Sequence, residues 1–299
     1  LFGGGNFFVK NMSNYLEKKK YKVIYDLQPG IDLIFIIDPR KNKSNNFKYH
    51  EIIEYKKKNP NVKIIHRVNE NDLKREKSIN IEPLLVETMK IANIVVFVSK
   101  WLQEYFIEKY KLSINSKYII NGCDEDFFYP LKDKIFDKNK IRIVTHHFSS
   151  NFLKGFHIYN EIDKLLDKRK DFEFVFIGNY NKDYEPKNIR VVKPCNGLKL
   201  ANKLRKFDFY LTATQYEPGA MHYLEGLRCG LPVLYCTKGG GTKEVCSMFG
   251  EEFNNIDSFL KKLDKMKENY YQYYNKIDYV YLGNQRCCEE YISIIKNLL

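Results

Sequence analysis

No apolar run in the chain is long: stretches such as LIFIID from Leu33 and IVVFVS from Ile94 fall far short of the roughly 20 residues that a membrane-spanning helix needs. A transmembrane helix is therefore not expected. The seven cysteines form no Cys-x-x-Cys pair and show no Cys/His spacing of the zinc type, which excludes a zinc ribbon and a redox dithiol. Cys287 and Cys288, being adjacent, are poorly placed to bridge each other, so reduced, buried thiols in a cytoplasmic protein are expected. No internal period of roughly 20 to 50 residues recurs, which excludes a solenoid. The opening LFGGGNFF has neither an initiator Met nor the charged-then-apolar profile of a signal peptide, so a first strand is expected to be partly missing.

What is present is lysine, aromatic carbon and alternation. The formal net charge of +13 suits nucleic acid, anionic lipid headgroups or phosphorylated small molecules, and does not choose among them. No RNA-recognition, zinc-finger or helix-turn-helix signature accompanies the charge, so nucleic acid is not the expected partner. Short β-branched runs alternate with amphipathic stretches, the pattern of parallel sheets covered by helices. Strands are expected at KVIYD (Lys22), LIFIID (Leu33), KIIHRV (Lys63), IVVFVS (Ile94) and YIIN (Tyr118). A polar, lysine-rich stretch from Asn121 to Lys140, with a Gly and a Pro, then interrupts the pattern. Alternation resumes at IRIVTHH (Ile141), FEFVFIG (Phe172), IRVVKP (Ile189), DFYLTAT (Asp208) and PVLYCT (Pro232), and from Ile256 onward only helical patterns follow. The expected organisation is a Rossmann-like α/β domain over 1–130, a second over 131–275, and a terminal helical segment over 276–299.

The stretch EPGAMHYLEGLRCGLPVLYC, Glu217 to Cys236, is the most specific in the chain. Its two glutamates would lie roughly 12 Å apart along a helix, too far to share one atom and suited to an elongated ligand. Pro218 is expected in the first turn, leaving Glu217 in the loop just before the helix. The amides of Gly219, Ala220, Met221 and His222 would then be the open donors of a helix N-terminus, which favours a phosphate. Carboxylate, amides and carboxylate fit a sugar hydroxyl, a diphosphate and a ribose in that order.

Glu-x7-Glu followed by GLRCGLPVLYC resembles the donor site of retaining GT-B glycosyltransferases, especially glycosyltransferase family four, also called glycosyl transferases group 1. The resemblance extends over nearly the whole chain. It implies a GT-B fold of two facing Rossmann-like domains, with a C-terminal helix that crosses back to the first. By the same resemblance Glu217 contacts hydroxyls of the donor sugar, Glu225 holds the ribose, and the amides at Met221 and His222 meet the diphosphate. In THHFSSNFLKGFHIYNEID from Thr145, Lys154-Gly155 matches the family's Lys-Gly pair on the phosphates. The family's accompanying arginine is absent, with His147 and Phe148 near its place, and Ser149, Ser150 and Asn151 are expected to supply neutral donors.

The resemblance reaches the first domain as well. GGGN, Gly3 to Asn6, matches a glycine-rich first loop, so Gly4, Gly5 and Asn6 are expected against the donor, where a missing Cβ permits close approach. His66 ends KIIHRV, where open α/β sheets bind ligands, and the family often uses such a histidine on the donor sugar. Arg67, Asn69, Glu70 and Asp72 are assigned to the acceptor side, and Ser99 is either a helix cap or a ligand contact. In VVKPCNG, Lys193, Pro194 and Cys195 occupy the loop that seats the base in the family. Asn-Gly-x-Asp at Asn121 matches the family's linker entry, and CDED at Cys123 is not assigned to a metal.

The implied activity is transfer of a hexose or related sugar from a nucleotide sugar, UDP- or GDP-linked, to a glycan or lipid-linked acceptor. The resemblance implies retention of configuration by a same-face route, with neither metal nor other cofactor, and site closure that excludes water. Lys154 and the helix terminus after Glu217 would stabilise the departing diphosphate. A cytoplasmic location, possible at the inner face of a membrane through the lysines, is the accompanying expectation. The competing readings are a nucleotide-sugar epimerase of the same fold and a non-catalytic binder of nucleic acid or anionic membrane.

Overall fold

The structure, a computed structural model, describes residues 4–40, 46–77 and 79–299. Contacts divide it into two compact units, one made of 1–72, 77–120 and 287–299, the other of 73–76 and 121–286. The boundary expected after residue 130 lies further along the chain than this division.

The first unit holds α1 (Gly4–Lys18), β1 (Leu33–Ile36), α2 (Tyr49–Lys58), β2 (Lys63–Val68), α3 (Glu82–Ile91), β3 (Ile94–Phe97), α4 (Lys100–Tyr110) and β4 (Ser116–Tyr118). Its four strands are parallel in the order β1-β2-β3-β4. The four residues of β3 and all of β2 but Lys63 are buried, as a parallel sheet with both faces covered requires. Phe8 of α1, Phe35 of β1 and Tyr291 form a ring cluster with centroids 5.1–5.9 Å apart. Ser99 caps α4, its Oγ accepting the Leu102 amide at 3.1 Å.

The second unit continues with β5 (Ile141–His147), a 3-10 turn (Phe152–Lys154), α5 (Phe156–Leu166), β6 (Phe172–Gly178), β7 (Arg190–Val192), α6 (Gly197–Leu204), β8 (Phe209–Thr212), α7 (His222–Arg228), β9 (Val233–Cys236), α8 (Thr242–Phe249), β10 (Gly250–Phe253), α9 (Ile256–Glu268) and α10 (Tyr270–Asn275). The last helix, α11 (Asn284–Leu298), begins in this unit and belongs to the first from Cys287 onward. The six strands run parallel in the order β10-β9-β8-β5-β6-β7. Central β5 is pinned at its start by Arg142, whose guanidinium donates to both oxygens of Asp208 at 2.8 and 2.9 Å. Phe156, Tyr159 and Ile162 of α5 close one face over Phe174 and Phe176 of β6.

Four sequence expectations differ from this architecture. Residues 22–26 form no ladder. They line, with β1, α1 and Ile295, a cavity of about 610 Å³, so an apolar run that lacks a pairing partner has stayed out of the sheet. The glycine-rich opening is not a loop: Gly4, Gly5 and Asn6 form the first turn of α1, and Gly3 lies outside the described residues, as does the expected first strand. Strand β10, which precedes the helical stretch expected from Ile256, was not among the expected strands. Its sequence GEEF is charged because it is an edge strand, with Glu251 held by Lys262, Lys265 and Tyr273. Finally, α7 starts at His222, so Gly219, Ala220 and Met221 precede the helix and do not form its first turn. The Gly219 carbonyl is instead taken by Asn121 Nδ2 at 2.8 Å, which holds this segment off the helical path.

Candidate functional site

The carboxyl end of β5 delivers His146 and His147, and the chain then turns through exposed Phe148, Ser149 and Ser150. Asn151 caps the 3-10 turn, its Oδ1 accepting the Leu153 amide at 2.9 Å, and Nδ2 donates to the Lys74 carbonyl at 3.2 Å. Lys154 closes that turn. Gly155, at φ 111°, reverses the chain into α5 where a Cβ would meet Ala213 and Tyr159 at 2.8 Å. The lysine is thereby aimed from the sheet's carboxyl edge.

There it meets Glu217. Tyr216, in the left-handed region at φ 52°, and the Gly241 amide, donating to the Glu217 carbonyl at 2.8 Å, tie the loop after β8 to the loop after β9. A Cβ on Gly240 would lie 2.8 Å from that same carbonyl, so the close approach requires the glycine. The Glu217 carboxylate, 5% exposed, pairs with Lys154 Nζ, and Lys74 Nζ stands 4.0 Å from its other oxygen. Burial opposes ionisation of this carboxyl, and the two ammonium groups outweigh it, so it is held below its ordinary range.

Glu225, on α7, is engaged by a histidine: His146 Nε2 lies 2.6 Å from its Oε2. Tyr210 Oη continues the network, 3.1 Å from His146 Nδ1 and 3.1 Å from His222 Nδ1. The far nitrogens of His147 and His222 have no hydrogen-bond partner in this structure. Burial first, and the nearby Lys154 charge second, push both imidazoles down, His147 to about 3. Burial and the Lys154 charge thus favour the neutral form of both.

A second cavity, of about 520 Å³, opens beside this cluster at the ends of β6 and β7. Ser150, Asn179, Tyr180, Lys182, Lys193 and Pro194 line it, and Cys195 follows half-buried. Gly178, at φ 155°, ends β6 with its Cα so close to β5 that a Cβ would fall 2.0 Å from the His147 carbonyl oxygen. The second unit thus gathers Lys154, Glu217, His222 and, through His146, Glu225, with Ser150 and Pro194 in the adjoining cavity.

Other expected residues stand in the first unit. Gly4, Gly5 and Asn6 open α1. His66 is fully buried on β2 with both ring nitrogens unpartnered, and burial pushes it down to about 3, opposed by Asp38. Asp72 accepts the Ile79, Ile81 and Glu82 amides at 3.2–3.3 Å, and in return Glu82 accepts the Asp72 amide at 2.8 Å, so both organise their own loop. In the linker, Asp124 accepts the Asp126 amide at 3.0 Å and Glu125 the Gln285 amide at 3.0 Å. Among the described residues, no three or more His, Cys, Asp or Glu side chains cluster as a metal would need.

Sequence reasoning missed Lys74, the Tyr210 link and the Gly178 and Gly240 approaches. The triplet Gly239–Gly241 directly after an apolar strand was a legible signal for the last of these. Lys74 had none, being one of 50 cationic residues.

No known family profile matches the chain. It is 22% identical over 196 residues to a probable sucrose-phosphate synthase of Thermosipho melanesiensis, a match covering 58% of this chain and 46% of that protein. The chain thus spans less than half the length of that curated relative in the match. In structure it is similar to WaaG, a glycosyltransferase involved in lipopolysaccharide biosynthesis, with TM-score 0.67 and 14% identity, covering 99% of this chain and 96% of that one. It is also similar to Anabaena Alr3699/HepE, solved in complex with UDP-glucose, with TM-score 0.60 and 16% identity, covering 88% and 79%.

Proposed function

On the GT-B fold that these likenesses show, as in glycosyl transferases group 1, we propose that the chain moves a sugar from a nucleotide-sugar donor to a glycan or lipid-linked acceptor. The observation that carries this reading is the buried Lys154–Glu217 pair at the carboxyl ends of β5 and β8, beside an open cavity at the ends of β6 and β7. Ligands of open parallel sheets bind at such ends.

The chemistry follows from the charges. A departing diphosphate needs fixed cations, and a developing oxocarbenium carbon needs anionic or dipolar neighbours. Lys154 supplies the first. When phosphate oxygens compete for Lys154, Glu217 is released toward the sugar hydroxyls, so donor binding exchanges one ion pair for another. Glu225, in the first turn of α7, stands for the ribose, and Ser150, Pro194 and Cys195 border the base. The UDP-glucose held by one structural neighbour makes UDP-sugars the first donors to test and GDP-sugars the second. Retention of configuration, independence from metal, and a His66 contact to the donor sugar remain part of the proposal on the resemblance of the motifs. Peripheral attachment to anionic membrane, supported by the charge of +13, completes it.

Thermal shift with UDP, GDP, ADP and CMP and their sugar conjugates, with and without EDTA, tests the reading. A ligand at a hundred times its dissociation constant adds about 2.7 kcal/mol. One nucleoside diphosphate is expected to stabilise the wild type, to stabilise Glu225→Ala much less, and to act equally in EDTA. Stabilisation by polynucleotide or anionic vesicles alone would sink the assignment, and an epimerised donor with no transfer product would move the chain to the epimerases.

A further inference from the structure

Two buried imidazoles at the proposed phosphate site present lone pairs where an anion should go. His147 Nδ1 lies 2.7 Å from the Ser149 carbonyl oxygen, which only accepts, so Nδ1 carries the proton and Nε2 is bare. A parallel argument fixes His222. His146 Nε2 donates to the Glu225 carboxylate at 2.6 Å, leaving His146 Nδ1 an acceptor for the Tyr210 hydroxyl at 3.1 Å. Tyr210 has then spent its one proton on His146, whether on Nδ1 or on the carbonyl at 3.1 Å. It accepts from His222 Nδ1 at 3.1 Å, so His222 Nε2 is bare as well.

Both residues are at least nine-tenths buried, at 6% and 7% exposure, their ring centroids are 6.5 Å apart, and neither Nε2 has a partner. The groups facing His147 are Tyr159, His146, His222, Lys154 and Glu217, and those facing His222 are Tyr210, Tyr223, His146, His147 and Lys154. Satisfied buried nitrogens are the rule, so two orphans beside one lysine mark the place of a ligand. A phosphate oxygen cannot sit against a bare ring nitrogen without repulsion, yet it is strongly held by an imidazolium N-H.

Resting on the donor-site reading above, we infer that His147 and His222 together take up one proton from solvent as a nucleoside diphosphate binds. The imidazolium so formed stands with Lys154 as the second cation on the phosphates, in the position where the sequence lacks an arginine. One proton and not two is expected, because a second imidazolium 6.5 Å away would repel both the first and Lys154. Before the ligand arrives, desolvation and Lys154 keep the pair neutral, and the charge of the diphosphate reverses the balance.

The test is calorimetry of UDP, GDP and inorganic pyrophosphate binding at about pH 7 in buffers of differing ionisation enthalpy, where the terminal phosphate of a nucleotide is mostly ionised already. The expected result is uptake of roughly one proton per bound diphosphate, and affinity that falls close to tenfold per pH unit above neutrality. His147→Gln and His222→Gln should each lower uptake, while His50→Gln, on the exposed start of α2, leaves it unchanged. The buffer series on the wild type alone decides the matter should either variant fail to fold. Binding without proton uptake overturns this inference and leaves the donor site standing. Absence of binding by all three probes overturns both.

Discussion

Replacing Lys154 by methionine tests whether its pairing with Glu217 is built into the second unit. Glu217 is 5% exposed and the Lys154 side chain 16%, so the variant would leave a carboxylate in a dry pocket. Breaking a buried pair from one side costs about 3–5 kcal/mol. Lys74 tempers this. At 4.0 Å its ammonium attracts the carboxylate by about 4 kcal/mol before desolvation, taking an effective dielectric constant of 20. The expected loss is therefore about 2–3 kcal/mol for Lys154→Met, under about 1 for Lys74→Met, and more than their sum for the double variant, since each lysine covers for the other. Urea denaturation of these proteins, in wild-type and Glu217→Gln backgrounds, provides the cycle. With glutamine at 217 no buried carboxylate is left for the substitution to strand, and Lys154→Met should cost less than about 1 kcal/mol. An equal loss in both backgrounds would refute the reasoning. Lys154 would then be a solvated lysine near Glu217 by accident, and the phosphate cation would have to be sought elsewhere.

His66 and His147 are held near about 3 against an ordinary value of 6.5, so the unfolded chain binds protons that the folded one refuses. Their stabilisation is complete above about pH 6.5 and declines as pH falls toward 3, with Glu217 adding its own loss below the carboxylate range. Denaturation midpoints should drop through this window, and His66→Phe should flatten the slope; an unchanged slope would mean that His66 is not buried neutral. Gly178→Ala places a methyl 2.0 Å from the His147 carbonyl oxygen at a backbone angle that disfavours side chains. It should cost more than about 1 kcal/mol and weaken nucleotide binding, and a silent variant would contradict the tight β5–β6 contact. Ser99→Ala removes a helix cap and should cost about 1 kcal/mol with the proposed nucleotide binding intact, whereas lost nucleotide affinity would make Ser99 a ligand contact instead.

The buried parallel strands were the most legible part of the fold. In β3, β6, β8 and β9 a nearly continuous apolar run states its own burial, because both faces of the sheet are covered. Edges were not legible. KVIYD reads as a strand and has no ladder, and the charged GEEF, not named as a strand, is β10, since pairing depends on a neighbour that local sequence does not carry. At the site, Glu217 and Lys154 were found from spacing and resemblance, and the structure brings them into contact across 63 positions of sequence. The start of α7 was misplaced by three residues because Pro-Gly after a glutamate imitates a helix entry. Here the Asn121 side chain, 98 positions away, takes the Gly219 carbonyl. His146, Tyr210 and His222 form a line only when β5, β8 and α7 are stacked, which no local pattern announces.

The distribution of sulfur has a practical consequence. Of the seven thiols six are buried, and burial raises the one at Cys195 without enclosing it. That residue follows Pro194 at the rim of the second cavity. A maleimide fluorophore added to the natural sequence should therefore attach at a single known address, with no cysteine engineered in or out. Arrival of a nucleotide beside it would be read as a change of emission, making the unaltered protein its own reporter.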